Sequence, residues 1–188
     1  TTGGANVFLG KDAGGNVTNG CTNIALGKCS LGGGAVTGDS NIFLGESTGK
    51  HTTSGNCNIA IGKEAMSGVT VTSYGNVAIG YRAGLNNTSG TENILIGWCA
   101  AAGGILTGGN NIVLGEDGGK GLSSGSRNIA LGLSALCGAS TVDDTIAIGR
   151  LSGKAAGGGN ANIFLGAYSG SQNGTAADND AANNIAIG

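Results

Sequence analysis

Proline is absent from the chain, which removes the collagen reading that its 41 glycines would otherwise invite, and the glycines do not recur at every third position. Aromatic residues make up only 4% of the 188 positions and charged residues only 11%. Simple disorder is excluded all the same, because 39% of the residues are apolar and recur in register. The formal net charge is −2 with no basic cluster, which argues against nucleic acid or an anionic membrane as a partner. No apolar stretch approaches membrane-spanning length, so membrane insertion is not expected, and the N-terminus does not read as a signal peptide. A mature segment, or a protein exported by another route, is the expectation. His51 is the single histidine, and no serine, cysteine or carboxylate stands at a spacing that would pair with it. General acid–base or nucleophilic chemistry needs a convergent group. The chain therefore reads as a non-enzyme with no cofactor and no metal site. Five cysteines (21, 29, 57, 99 and 137) form no zinc-type spacing, and free, partly buried thiols are expected.

What the chain has in quantity is one short phrase. Asn-[Ile/Val]-x-[Leu/Ile]-Gly begins at Asn6, Asn23, Asn41, Asn58, Asn76, Asn93, Asn111, Asn128, Asn162 and Asn184, and Thr145 replaces the asparagine in TIAIG. The interval is 17 or 18 residues until the last, which is 22. A fixed interval of this length predicts an all-β, parallel β-solenoid of ten to eleven coils, a single repeat array over residues 1–188. At about 4.8 Å per coil it would be roughly 50 Å long. Glycine is abundant because each corner needs backbone angles that other residues resist. The asparagines are expected to stack their amides coil upon coil. The third residue after the motif glycine is always small (Ala13, Ser30, Thr48, Ala65, Ala83 and onward), so close packing is expected there. The two positions between carry Lys11, Asp12, Lys28, Glu46, Lys63, Glu64, Arg82, Glu116, Asp117 and Arg150, a corner facing water. Lys28, Glu46 and Lys63 would form a ladder of alternating sign, contributing about 0.2–1 kcal/mol per pair. Turn residues precede each strand, and residues 167–183 form a longer polar loop of the kind that carries binding on solenoids.

The strand itself is apolar on both faces. Residues two apart share a face. The expectation is that motif positions two and four, always Ile, Val or Leu, fill the coil interior. Position three then points outward, yet it reads Phe8, Ala25, Phe43, Ala60, Ala78, Leu95, Val113, Ala130, Ala147, Phe164 and Ala186, with all three phenylalanines of the chain in this column. A face of roughly 850 Å² exceeds the apolar patch of about 300–600 Å² that monomers leave open. A homo-oligomer is expected, with Phe8, Phe43, Leu95, Val113 and Phe164 at its interface.

Other motifs carry less. GESTGK (45–50) is one residue short of a phosphate-binding loop, and no Gly-Gly-x-Gly-x-Asp frame for calcium is present. Tyr81 and Trp98 share a corner column beside Arg82, and Tyr168 stands at the head of the long loop. Exposed aromatics next to arginine suit a sugar or protein surface.

NIALGKCS, NIAIGKEA, NVAIGYRA and NIALGLSA resemble the head repeats of trimeric autotransporter adhesins (YadA-like heads), and equally the T-A-I-G repeats of bacteriophage tail fibres. The resemblance runs along nearly the whole chain. It implies a left-handed parallel β-roll, three chains side by side, and a head that binds host surface molecules. The leading expectation is thus a rigid, extracellular, homotrimeric fibre segment on a virion tail or a cell surface, meeting a host glycan or protein. The rival is an extracellular filament whose solenoids stack end to end, since neither end of the chain shows a polar cap. An ice-binding solenoid ranks third, because it wants flat, regular threonine rows and the threonines here fall in loops of irregular spacing.

Overall fold

The computed structural model describes residues 3–68, 70–154, 159–171 and 182–188. Its fold is an all-β solenoid, with eleven three-residue strands running from Val7–Leu9 to Ile185–Ile187. They form one parallel sheet in strict sequence order, each motif in register with the next (Val7↔Ile24, Phe8↔Ala25, Leu9↔Leu26). Each coil therefore adds one strand above its predecessor, as the constant interval predicts. Most of the loop expected at 167–183 lies outside the described residues, which resume at 182.

Asparagine at the head of each strand locks successive coils together. The Asn41 backbone N–H and its side-chain Nδ2 both donate to Asn23 Oδ1, at 2.9 and 3.0 Å, and Nδ2 donates again to Gly55 O at 2.7 Å. One side chain thus ties its own strand to the coil below and to the loop above. The pattern repeats at Asn58, Asn76, Asn93, Asn111 and Asn128, all fully buried. Thr145 breaks it. It donates its N–H to Asn128 Oδ1, but its hydroxyl turns back to the carbonyl of Asp143. Thr145→Asn should complete the ladder toward Asn162 and add about 1 kcal/mol, a rise of about 2–4 °C in the melting temperature read by circular dichroism.

The motif glycine is required at its corner. Gly132 has φ +131°, and a Cβ there would stand 2.7 Å from Gly149 O of the next coil. Side chains nevertheless occupy left-handed conformations two residues on, at Asp12, Cys29, Ser47, Glu64 and Arg82, with φ between 55° and 59°.

The assignment of the two strand faces is reversed from the sequence expectation. Position three is the interior: Ala25, Phe43, Ala60, Leu95, Val113 and Ala130 are 0% exposed and Phe164 2%. Positions two and four point out, giving the strands a partly exposed–buried–partly exposed pattern. Phe43, Leu95, Val113 and Phe164 are therefore core residues of the single chain and not an oligomer interface. Phe8, in the first coil, packs against the same core. The asparagine explains the direction, because it is buried and shares its face with position three.

Thin walls explain the size of the residues. The opposite wall contributes Leu31, Val36, Met66, Val71, Leu106, Leu122 and Leu136 to the same cluster, which leaves little depth for the strand's own side chains. Phenylalanine fits only where the facing corner is glycine: a Cβ on Gly49 would lie 2.7 Å from the Phe43 ring. Beside Ala25, Ala60 and Ala130 the corner supplies bulk instead, in Leu31, Met66 and Leu136. The structural unit is thus a pair of coils. Bridges in the second wall follow the same pairing, Val17↔Val36, Thr52↔Val71 and Asn87↔Leu106.

Candidate functional site

With position three inside, the outer face of the sheet is two parallel columns of Ile, Val and Leu, two side chains from each of eleven strands. No polar residue interrupts them. Mid-sheet members remain substantially open, with Ile94 38%, Ile112 36%, Leu114 38% and Ile148 40% exposed. A strip one three-residue strand wide and eleven coils tall covers roughly 500 Å². That reaches the upper part of what a monomer leaves to water. The apolar strip expected from sequence therefore exists, made by different residues.

The corner beside this strip carries the charged ladder. Lys63 Nζ lies 3.2 Å from Glu46 Oε2, and Arg82 Nε donates to Glu64 Oε2 at 2.7 Å. These hydrogen bonds raise the pKa of both cations. Lys28 takes no part in the ion pairs of the described residues, so the expected three-member ladder is a pair. On the far side of the strand Arg127 grips Asp144 through Nε at 2.6 Å and Nη2 at 2.9 Å, and that hydrogen bonding holds the Asp144 carboxyl below its ordinary range. All these groups are at least partly exposed, and each pair contributes little.

The aromatic candidates are brought together in part. Tyr81 and Trp98 meet with ring centroids 4.3 Å apart and planes tilted by 35°, so each covers a face of the other. The Arg82 guanidinium sits 5.0 Å from the Tyr81 centroid while bonded to Glu64. Trp98 stays 57% exposed. Tyr168 belongs to a separate contact, with Arg150 4.6 Å from its ring centroid. His51 lines a groove of about 260 Å³ with Ser47, Lys50, Glu64 and Ser67. Its Nδ1 is bonded to the Ser67 carbonyl at 2.6 Å, and Glu64 is held by Arg82, so no nucleophile–base pair forms there. The five cysteines are free, and burial pushes the Cys99 thiol up.

One feature escaped sequence reading. The threonines of the loop wall, separated by 19 and 16 residues in alternation, stand above one another. Thr18 Oγ1 donates to Val36 O at 3.0 Å, Thr53 Oγ1 to Val71 O at 3.4 Å and Thr88 Oγ1 to Leu106 O at 3.4 Å. Thr37, Thr72 and Thr107 do the same toward Thr53, Thr88 and Ser123. The irregular spacing is the two-coil unit seen one residue type at a time.

No protein-family model matches the chain, and no match is found among curated proteins or solved structures.

Proposed function

We propose that the chain is a rigid, non-enzymatic segment of an extracellular fibre, of the viral tail-fibre or bacterial adhesin kind, and that it self-associates through the Ile/Leu strip to present its remaining surface to a host. The observation that carries this reading is the strip itself, unbroken by any polar residue over eleven strands. A symmetry axis parallel to the solenoid buries every coil equally. Two narrow columns on one ridge suit three copies, with one column meeting each neighbour. Motif resemblance to adhesin heads and tail fibres points the same way. A host glycan or protein would meet the outer corner, where Trp98 stands exposed above the Arg82–Glu64 pair.

Light scattering across concentration, with negative-stain images of the same sample, tests the reading. A constant mass of three times 17.9 kDa in short rods is expected. A mass that climbs with concentration would favour end-to-end filaments, and a stable monomer would overturn self-association through the strip. Ile94→Lys with Ile129→Lys should yield a folded monomer, since both side chains point outward and a lysine buried at the interface costs several kcal/mol per charge.

A further inference from the structure

Two corners of the repeat, GESTGK (45–50) and GEDGGK (115–120), share a backbone conformation. φ is 55° at Ser47 and 52° at Asp117, and 58° and 56° at Gly49 and Gly119. They differ in what the closing lysine meets. Lys120 Nζ lies 3.1 Å from Asp117 Oδ1. At the other corner serine stands in place of that aspartate, and Lys50 has no carboxylate partner among the described residues. The neighbouring carboxylates are already engaged, Glu46 with Lys63 and Glu64 with Arg82. Yet Lys50 is half-buried, whereas Lys11, Lys28, Lys63, Lys120 and Lys154 are exposed. A partly buried cation without a counter-charge is an incomplete arrangement. His51 lies beside it over Gly33 of the coil below, where a Cβ would stand 2.9 Å from Lys50 Cγ and 3.2 Å from His51 Cδ2. The His51 Nδ1 meets the Ser67 carbonyl at 2.6 Å. A carbonyl only accepts, so Nδ1 carries the proton and the neutral ring keeps its lone pair on Nε2. The repeat agrees, since Asn16 and Asn86, at the same position of neighbouring units, donate their amides to Gly32 O and Ala102 O at 2.8 and 3.3 Å.

We propose that the groove of about 260 Å³ lined by Ser47, Lys50, His51 and Ser67 binds a small hydroxy acid, of the sugar-acid class. The ligand carboxylate takes the Lys50 ammonium, in the place that Asp117 fills at Lys120. A ligand hydroxyl donates to His51 Nε2. Sulfate or phosphate without a hydroxyl would set oxygen lone pairs against that nitrogen, and a neutral sugar would leave the lysine without its counter-charge. The volume lies just below the 300–1,000 Å³ or so of pockets for larger ligands, which suits a single ring. Glu64 also lines the groove, but Arg82 neutralises its carboxylate at 2.7 Å. Every group belongs to one chain, so binding does not depend on self-association or on the Trp98 corner.

His51 is the single histidine, so its imidazole signal in an NMR titration of the full chain reports on this groove alone. Glucuronate should shift that signal saturably, acetate more weakly, and glucose not at all. Lys50→Met should weaken glucuronate binding about tenfold or more, through loss of a charge-assisted hydrogen bond. Ser47→Asp should weaken it as much by filling the site from within, and its backbone conformation is one that Asp117 already holds. Lys28→Met, on an exposed corner outside the groove, should change nothing, and circular dichroism checks the fold of each variant. A folded parent chain whose imidazole signal does not respond to glucuronate would overturn the proposal. So would parent-level affinity in the folded Ser47→Asp or Lys50→Met variant, a response to sulfate without one to glucuronate, or equal affinity for acetate and glucuronate.

Discussion

Asn93→Leu should lower the stability of the chain by about 3–6 kcal/mol, while Asn87→Leu, six residues earlier, should raise it by about 1–3 kcal/mol. Both asparagines are fully buried, so burial does not separate them. Their partners do. Asn93 Oδ1 accepts the Asn111 backbone N–H and side-chain Nδ2, each at 2.9 Å, and its own Nδ2 reaches Asn76 Oδ1 at 3.1 Å and Gly108 O at 3.0 Å. Leucine there strands two donors and a carbonyl in the interior, at about 1–3 kcal/mol for each buried group left unpaired. Against a total stability of about 5–15 kcal/mol, that brings the fold near its limit. Asn87 is the opposite case, because neither Oδ1 nor Nδ2 has a hydrogen-bond partner among the described residues. The position recurs in each two-coil unit as Val17, Thr52, Asn87 and Leu122, and Leu122 is fully buried in the core cluster. Leucine at 87 removes an unpaired amide and puts apolar volume where the repeat already accepts it. Urea midpoints of the two variants against the parent chain are the measurement. A loss of stability in Asn87→Leu would show that the amide is satisfied in solution after all.

The contrast between these asparagines also marks how far the sequence could be read. The ladder of Asn93 was legible, since a polar residue held at one position through ten motifs has a backbone to satisfy. Asn87 was not, because it occupies a column otherwise filled by Val, Thr and Leu, and only the folded packing shows that the column is a wall of the core. Fold class, strand positions and the absence of charge from the strip followed from the interval and the motif. The direction of the strand did not follow from hydrophobicity, which ranks Ile and Leu as interior and places alanine outside. Volume decides it. Two aliphatic columns and the Leu31, Met66 and Leu136 wall cannot share one thin coil, whereas alanine with that wall, or phenylalanine with glycine, can. The buried asparagine, two residues before position three, was the sequence signal that could have settled the matter. Because the opposite face is equally apolar, an outward apolar strip exists after the reversal, but the residues that form it change from Phe8, Phe43, Leu95, Val113 and Phe164 to Ile, Val and Leu at positions two and four.

Deleting residues 41–75 should leave a folded, cooperatively melting solenoid, and deleting only 41–57 should not. The longer deletion removes two coils and joins Ser40 to Asn76, so the Ala25–Leu31 coil still meets a glycine corner, at Gly84. The shorter one joins Ser40 to Asn58 and stacks the Ala25–Leu31 coil on the Ala60–Met66 coil. Leu31 and Met66, both fully buried and until then separated by Gly49, become neighbours. Overpacking of the two bulky corners adds about 1–3 kcal/mol of strain. The loop wall fails as well. Thr37 normally precedes its successor by 16 residues; the two-coil deletion keeps that spacing to Thr88, while the one-coil deletion leaves 18 to Thr72. Thermal melts followed by circular dichroism should place the two-coil variant within a few degrees of the parent and show a broad or absent transition for the one-coil variant. Equal melting of the two deletions would mean that coils are interchangeable and that the glycine corner between Leu31 and Met66 sets nothing beyond local fit.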